Sequence, residues 1–155
     1  AYLLRRFPVF AIPGTGDYKL QPIYAEDLAE IAVQTGQTRD NIIIDAIGPE
    51  TYTFNELVRL IRHTVQSKAL IIHLPPTLVS VLSKLLSHIV NDVLLTKDEI
   101  KGLMANLLIS LQPPPASPSR PAGLIGAPNR LSEWLKQYTD AIGVKYASEF
   151  NRHYR

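Results

Sequence analysis

Short apolar runs alternate with helical patterns along the first half of the chain, and this alternation limits the fold to a mixed architecture. Residues 18–24 (YKLQPIY), 41–46 (NIIIDA) and 69–73 (ALIIH) are predicted to be extended, the last two as buried strands. Helical periodicity separates these runs and continues after them. The sequence therefore predicts an α/β or α+β fold with three short strands and five or six helices.

Two capping boxes mark helix starts, at Thr53 with Glu56 and at Thr96 with Glu99. In such a box each side chain bonds a backbone amide that would otherwise lack a partner. Apolar side chains repeat at helical spacing after both boxes, so we expect one buried face on each helix. These stripes comprise Phe54, Leu57, Val58, Ile61 and Val65 after the first box, and Ile100, Leu103, Met104, Leu107 and Leu108 after the second.

Three further helices are predicted from apolar periodicity and from turn residues at their ends. They cover about 25–36, 77–90 and 131–142, and Gly143 stops the last one. The apolar segment 77–90 is 14 residues long and carries Lys84 and His88, whereas a membrane-spanning helix needs about 20 apolar residues. We therefore interpret this segment as a core or interface helix.

The composition excludes several classes of function. The 155 residues suffice for one domain with a core, and the net charge of +2 is spread without a basic block, so no nucleic-acid footprint is visible. The absence of cysteine excludes disulfides and thiolate metal sites, and it fits a reducing, cytoplasmic compartment. The four histidines and the acidic residues show no metal-binding spacing.

Motifs for nucleophilic catalysis and phosphate binding are absent from the sequence. It contains no nucleophile elbow and no P-loop. Gly14 and Gly16 precede an extended segment rather than a helix, so they lack the context in which free amides face a pyrophosphate. Glu26 and Asp27 are adjacent acids, but neighbours on a helix diverge by about 100°. We interpret them as one acid at a helix start beside a solvated one.

Two motifs occur in a characteristic order. Residues 13–16 (PGTG) and 21–29 (QPIYAEDLA) are followed by residues 48–57 (GPETYTFNEL). The first block resembles a glycine loop leading to (Q/R)-(P/F)-(V/I)-(H/Y)-V-(D/E)-D-(L/V)-A, and the second resembles G-G-P-E-x-x-(T/S)-x-x-E-L. Both belong to extended and atypical short-chain dehydrogenases/reductases, the NAD-dependent epimerase/dehydratase superfamily. The resemblance covers residues 1–66 well, and it is strongest to NAD(P)-binding relatives of the respiratory complex I accessory subunit and to bacterial NAD-dependent epimerases.

The resemblance implies that this chain is the C-terminal, substrate-side domain of a Rossmann-type NAD(P)-binding protein. In the family, the cofactor glycines and the catalytic Tyr-x-x-x-Lys lie in the N-terminal part, and none of the seven tyrosines here has a lysine four residues later. No catalytic, cofactor-binding or metal-binding residue is therefore assigned, and the chain alone is expected to be inactive. By analogy, Lys19, Gln21 and Tyr24 are candidates to line the substrate cleft.

Two functions remain open for the full-length protein. It is either an NAD(P)-dependent oxidoreductase or epimerase, with NAD or NADP bound outside this chain, or a non-catalytic assembly subunit of the same fold. The expected partners are the missing N-terminal Rossmann domain, a small-molecule substrate and a second copy, with no nucleic acid and no transmembrane segment.

The domain organisation is also an expectation from the sequence. Residues 1–111 are assigned to the substrate-side domain, 112–129 to a proline-rich loop, and 130–155 to C-terminal helices of the same domain. The proline-rich segment is a surface loop or linker, or else a lid or partner-binding segment. Residues 1–8 read as the last turns of a helix that Pro8 ends, which suggests a piece of a longer protein.

Overall fold

The computed structural model describes residues 1–37, 39, 41, 43–90, 96–110 and 129–146. This part of the chain is a mixed α/β fold with six helices and four short strands, so the expected mixed class and number of helices are confirmed. In chain order the elements are α1 (Tyr2–Arg6), β1 (Val9–Pro13), β2 (Lys19–Leu20), α2 (Ala25–Gly36), β3 (Tyr52–Thr53), α3 (Phe54–Thr64), β4 (Leu70–Leu74), α4 (Pro76–Val90), α5 (Lys97–Met104) and α6 (Leu131–Gln137).

Strands β1 and β4 form a parallel pair. Their register runs from Val9 opposite Leu70 to Pro13 opposite Leu74. The strand expected at 69–73 is confirmed with a shift of one residue, although both Leu70 and His73 are exposed. Strand β1 was not expected, because its apolar run is short and Pro8 and Pro13 stand on either side of it.

Strands β2 and β3 form a second, antiparallel pair, with Lys19 opposite Thr53 and Leu20 opposite Tyr52. The extended segment expected at 18–24 is therefore a strand at two residues only. After them the Gln21 amide donates to the Leu108 carbonyl at 2.9 Å, and Pro22 has no amide to continue the ladder.

The buried strand expected at residues 41–46 is wrong. Residues 41 and 43–46 form no strand, and Ile43 is 94% exposed. A β-branched run becomes a strand only where another strand offers an edge and where neighbours cover its side chains. The described strands pair with one another and not with this run, and the side chain of Ile43 is left uncovered.

Helix α3 is firmly anchored. Its capping box forms as expected: the Glu56 amide donates to Thr53 Oγ1 at 3.2 Å, and the Thr53 amide donates to Glu56 Oε2 at 2.8 Å. The second box, at Thr96 and Glu99, forms in the same way. The inner face of α3 joins the buried core, which comprises Leu4, Ile12, Val58, Val65 and Ala69.

Helix α5 is shorter than the apolar stripe that predicted it. Ile100 is buried, but the helix ends at Met104 and the backbone at Asn106 has a φ of 55°. This left-handed turn redirects the chain, so Leu107 and Leu108 leave the helix and are exposed. The expected stripe is therefore wrong at its last two positions.

Helix α4 covers the segment expected to be a core or interface helix. It contacts β1 on one side, while four apolar residues at helical spacing remain exposed on another: Leu78, Val81, Leu82 and Leu85. None of the helices in the described ranges combines the length and the apolar character of a membrane span.

The first helix is tied to the turns that follow the last helix. The Arg5 guanidinium donates to the carbonyls of Thr139 at 2.6 Å and Ile142 at 2.9 Å. Gly143 has a φ of 69°, and a Cβ there would lie 2.5 Å from the Tyr2 nitrogen. The helix predicted over 131–142 ends at Gln137, and turns follow it.

The remaining expectations fall mainly on other residues. Of the proline-rich loop 112–129, only Asn129 belongs to the described ranges, and of the tail only residues up to 146 do. The loop, the lid interpretation and a helix in the tail therefore lie outside the described residues.

Candidate functional site

Polar side chains gather where β1 and β4 end, at one edge of the parallel pair. Residues 14–17 follow β1, and His73 is the second-last residue of β4. Asn55, from the first turn of α3, lies between them. Open α/β sheets bind ligands in the crevice outside the carboxyl ends of their strands. We call residues 14–17, Asn55 and His73 the glycine-loop site.

Asn55 holds the loop in place. Its Nδ2 donates to the Thr15 carbonyl at 2.8 Å, and its backbone amide donates to the Gly16 carbonyl at 3.0 Å. Gly16 has a φ of 75°, and a Cβ at this position would lie 2.5 Å from Asn55 Oδ1. Glycine is needed here both for the left-handed backbone and for the close approach of the amide.

The hydrogen bonds of Asn55 also fix the tautomer of His73. Because Asn55 Nδ2 donates to the Thr15 carbonyl, its Oδ1 is the atom that faces His73 Nε2, at 2.8 Å. Nε2 must therefore carry the proton, and in the neutral ring Nδ1 keeps the lone pair. The exposed His73 ring thus offers Nδ1 as an acceptor at the site.

Lys19 follows the glycine loop two residues after Asp17, and its place in a substrate cleft stays a prediction. Its backbone amide donates to Asn106 Oδ1 at 2.7 Å, and its side chain is exposed. Hydrogen bonds from the Thr53 amide and hydroxyl hold the pKa of Glu56 below its usual value, and the Lys19 ammonium adds to this effect. Lys19 therefore stands near the first turn of α3, the turn that also carries Asn55.

The Gln21 side chain connects two segments of the chain, one at Gly48 and one at Ser110. Its Nε2 donates to the Gly48 carbonyl at 3.0 Å, and its Oε1 accepts from the Ser110 amide at 3.4 Å. A Cβ at Gly48 would lie 1.7 Å from the Pro22 carbonyl, so the two segments touch at this point. Both polar groups of the side chain are engaged, and its role in a substrate cleft stays a prediction.

Tyr24 lies in a separate cleft of about 190 Å³, between the entry to α2 and the entry to α6. Trp134 and Arg130 are among the residues on the other side. Partial burial raises the pKa of the Tyr24 hydroxyl, with a further contribution from its hydrogen bond to Glu26. The structure therefore does not place Tyr24 in the glycine-loop site, which Lys19 borders.

Two acids form hydrogen bonds to residues on the α6 side of this cleft. Asp27 is 5% exposed and accepts from the amide and Nδ2 of Asn129, at 3.2 Å and 2.6 Å. Glu50 accepts from the amide of Ser132 at 3.0 Å and from its hydroxyl at 2.6 Å. Burial alone would raise the pKa of Glu50, but the bonds from Ser132 and Tyr52 and the charge of Arg130 together outweigh it and lower this pKa.

Sequence reasoning missed the residues that organise both places. Asn55 is one polar position within a helix pattern, and its partners on the loop and on β4 are remote in sequence. The sequence predicts Asp27 only as an acid at a helix start or a solvated one, whereas it bonds a residue 102 positions away. The sequence signal for the loop is the pair Gly14 and Gly16, because glycine is the residue that most readily takes a positive φ.

The glycine-loop site can bind a small polar molecule by hydrogen bonds. Thr15 and Asp17 supply exposed oxygens, His73 supplies Nδ1, and Lys19 supplies a cation nearby. Within the described ranges no three histidines, aspartates or glutamates gather as a metal site.

Compared with known proteins, the chain matches no family profile and no curated sequence. The fold and the site therefore define a mixed α/β protein with a polar glycine loop at the carboxyl edge of two parallel strands.

Proposed function

We propose that the chain is the substrate-side, C-terminal part of an NAD(P)-dependent protein of the short-chain dehydrogenase/reductase class, similar to nucleotide-sugar epimerases and dehydratases. In this proposal an N-terminal Rossmann domain holds NAD or NADP and the catalytic Tyr-x-x-x-Lys. The present chain supplies part of the substrate cleft.

One observation carries the proposal: a glycine loop stands at the carboxyl edge of two parallel strands and is held there by Asn55. Parallel strands need a crossover, and β1 and β4 are joined through α2 and α3. Their carboxyl edge is where an open parallel sheet binds its ligands. This placement agrees with the motif order that suggested the family.

The residues of this chain would position a substrate rather than react with it. Lys19 and His73 present a cation and an acceptor at the loop, and Asp17 presents a carboxylate. The loop leads into β2 and not into a helix, so it lacks the free helical amides that bind a pyrophosphate. The described residues thus do not fit NAD(P), and the proposal assigns the cofactor to the other domain.

A binding experiment with nicotinamide cofactors tests this division of labour. We expect the 155-residue chain alone to leave NADH and NADPH fluorescence unchanged in a titration. The same chain joined to the polypeptide encoded directly upstream should bind one of them. Micromolar binding by the isolated chain, or an upstream sequence without a glycine fingerprint, would contradict the proposal.

The apolar stripe on α4 favours a second candidate, a non-catalytic assembly subunit. Exposed apolar patches mark surfaces that contact other proteins, and an assembly subunit needs such a surface. An intact upstream Tyr-x-x-x-Lys supports the enzyme, whereas retained glycines with a degenerate Tyr-x-x-x-Lys support the assembly subunit.

A further inference from the structure

Charge is distributed unevenly over the fold, although the net charge of the chain is only +2. Residues 1–16 and 57–90 contain six lysines and arginines but no aspartate or glutamate, whereas the rest of the chain contains ten and fourteen. These two stretches form α1, β1, most of α3, β4 and α4, and the two strands pair with each other. A region of one charge sign attracts partners of the opposite sign.

An open pocket of about 460 Å³ lies within this positively charged part of the fold. One wall is formed by residues 4–8, where α1 ends and β1 begins, and the other by residues 65–69, between α3 and β4. Its charged lining residues are Arg5, Arg6 and Lys68, and no acidic residue lines it among the described ones. We call it the basic pocket.

Hydrogen bonds to the backbone hold the two walls of the basic pocket together. The Ser67 hydroxyl donates to the Leu4 carbonyl, and it accepts from the Ala69 amide at 3.0 Å. The Leu70 amide donates to the Pro8 carbonyl at 2.8 Å. The fold itself, and not the charged side chains, therefore fixes the two walls relative to each other.

Two cations of the basic pocket remain available to a ligand, Arg6 on one wall and Lys68 on the other. Both residues are exposed. Within the described ranges the ion pairs lie elsewhere, and neither of these two side chains has a hydrogen-bond partner. Arg5 is already engaged, because its guanidinium donates to the carbonyls of Thr139 and Ile142.

Neutralisation of the helix dipoles does not account for both cations. Basic residues are favoured within the last turn of a helix, and Arg6 is the last residue of α1. Lys68, however, lies four residues after Thr64, the last residue of α3, and the dipole effect falls off within the last turn. Near this end of α3 the Arg62 carbonyl already accepts from the Ser67 amide at 2.9 Å.

The surroundings of the basic pocket favour the carboxylates of a peptide over phosphate groups. The pocket lies at the C-terminal ends of α1 and α3, the negative poles of their dipoles, whereas phosphate sites use the amides of helix N-terminal ends. Two cations on separate walls suit carboxylates spaced along a chain. Nucleic acid needs a longer row of cations, and a flat lipid surface does not enter a concave pocket.

We propose that the basic pocket binds an acidic segment of a partner polypeptide. Carboxylates of this segment pair with Arg6 on one wall and with Lys68 on the other. Arginine binds a carboxylate through two parallel N–H donors, and lysine pairs with it as a point charge. The inference does not rest on the proposed function, because the glycine-loop site lies at the opposite ends of β1 and β4.

A titration with synthetic peptides tests the basic pocket. The probe is an acetylated peptide of about eight residues, long enough to reach across the pocket, in which glutamate alternates with serine. In the control peptide glutamine replaces glutamate. Binding to the 155-residue chain is followed by NMR at the backbone amides of Gln66 and Lys68. We expect only the glutamate peptide to shift these amides, and about 0.5 M salt should weaken its binding at least about threefold by screening.

Charge reversal at the pocket gives a matched pair of variants. Arg6→Glu with Lys68→Glu should weaken binding of the glutamate peptide at least about tenfold, because two attractive pairs become repulsive. Lys84→Glu with Lys136→Glu changes the net charge equally at two exposed residues outside the pocket, and it should weaken binding less than about twofold. If the reversed variant does not fold, Arg6→Gln with Lys68→Gln should still weaken binding about three- to fivefold.

Four outcomes would overturn the inference. Equal binding of both peptides would exclude charge as the cause, and equal weakening by the two double reversals would exclude the pocket as the place. No shift with the glutamate peptide at millimolar concentration would mean that the pocket binds no acidic segment. Inorganic phosphate or a short DNA duplex that shifts the same amides at lower concentration would assign the pocket to phosphate groups. None of these outcomes involves a nicotinamide cofactor, so the NAD(P)H titration judges the proposed function separately.

Discussion

Replacing Asp27 with alanine tests whether a buried carboxylate holds the start of helix α6 to the rest of the fold. Asp27 accepts two hydrogen bonds from Asn129, one of them at 2.6 Å, and it is 5% exposed. Hydrogen bonds to charged groups contribute about 1.5–3 kcal/mol each. Since the carboxylate also loses hydration on burial, the lower end applies, and the two bonds together give about 3 kcal/mol.

The assay is urea unfolding of Asp27→Ala, followed by circular dichroism and by the fluorescence of the single tryptophan, Trp134 on α6. Urea unfolding gives the loss of about 3 kcal/mol directly. In thermal unfolding the same loss lowers the melting temperature of a chain of this size by about 6–12 °C. We also expect the Trp134 signal to change at lower urea than the dichroism does, because α6 loses one of its anchors.

Glu26→Ala is the matched control, since Glu26 is the exposed neighbour in the same helical turn. It should lose its favourable interaction with the helix dipole and its exposed hydrogen bond with Tyr24, together about 1 kcal/mol. The reasoning is refuted if Asp27→Ala and Glu26→Ala differ by less than about 0.5 kcal/mol. A double-mutant cycle with Asn129→Ala should give a coupling of about 1 kcal/mol or more between Asp27 and Asn129.

Two further substitutions have definite expected results. Glu50→Gln should destabilise the chain by about 1–2 kcal/mol at pH 7 in thermal unfolding. The bonds from Ser132 lower the pKa of Glu50 from its usual 4.5. Their stabilisation is therefore present above pH 4.5 and disappears as the pH falls through the lowered pKa. The stabilities of the two proteins should converge near about pH 3, and a difference that persists there contradicts the assignment. Gly16→Ala should cost about 2–3 kcal/mol and shift the His73 Nε2 resonance in NMR, because the new Cβ displaces Asn55. Gly36→Ala, which meets no atom within 4 Å, is its control and should leave His73 unchanged.

The helices were predictable because their signals are local. A capping box places donors and acceptors within four residues, and both boxes form as the sequence indicates. The strands were less predictable, because a strand exists only when a distant edge accepts it. The run at 41–46 has the stronger β-branched pattern, yet the shorter run in β1 is the one that pairs, with residues about 60 positions away.

The candidate site was predictable in its position along the chain but not in its composition. The glycine motif located the loop, and Lys19 stands beside it. Asn55 and His73 come from two other elements, and their meeting depends on how α3 packs and how β1 pairs with β4. Periodicity gives the buried face of a helix, but it does not state which side chain of the first turn reaches a neighbouring loop.

The bond from Arg5 to the Ile142 carbonyl spans 137 positions of sequence, and this separation has a consequence for biosynthesis. At about 5–20 residues per second, a ribosome needs roughly 7–30 s to make the intervening chain. Helix α1 has five residues, which is too short to persist alone in water. The earliest helix of this sequence can therefore bury Leu4 once the chain has reached Ala69, but Arg5 receives its last hydrogen-bond acceptors only when translation has delivered the turns around Ile142.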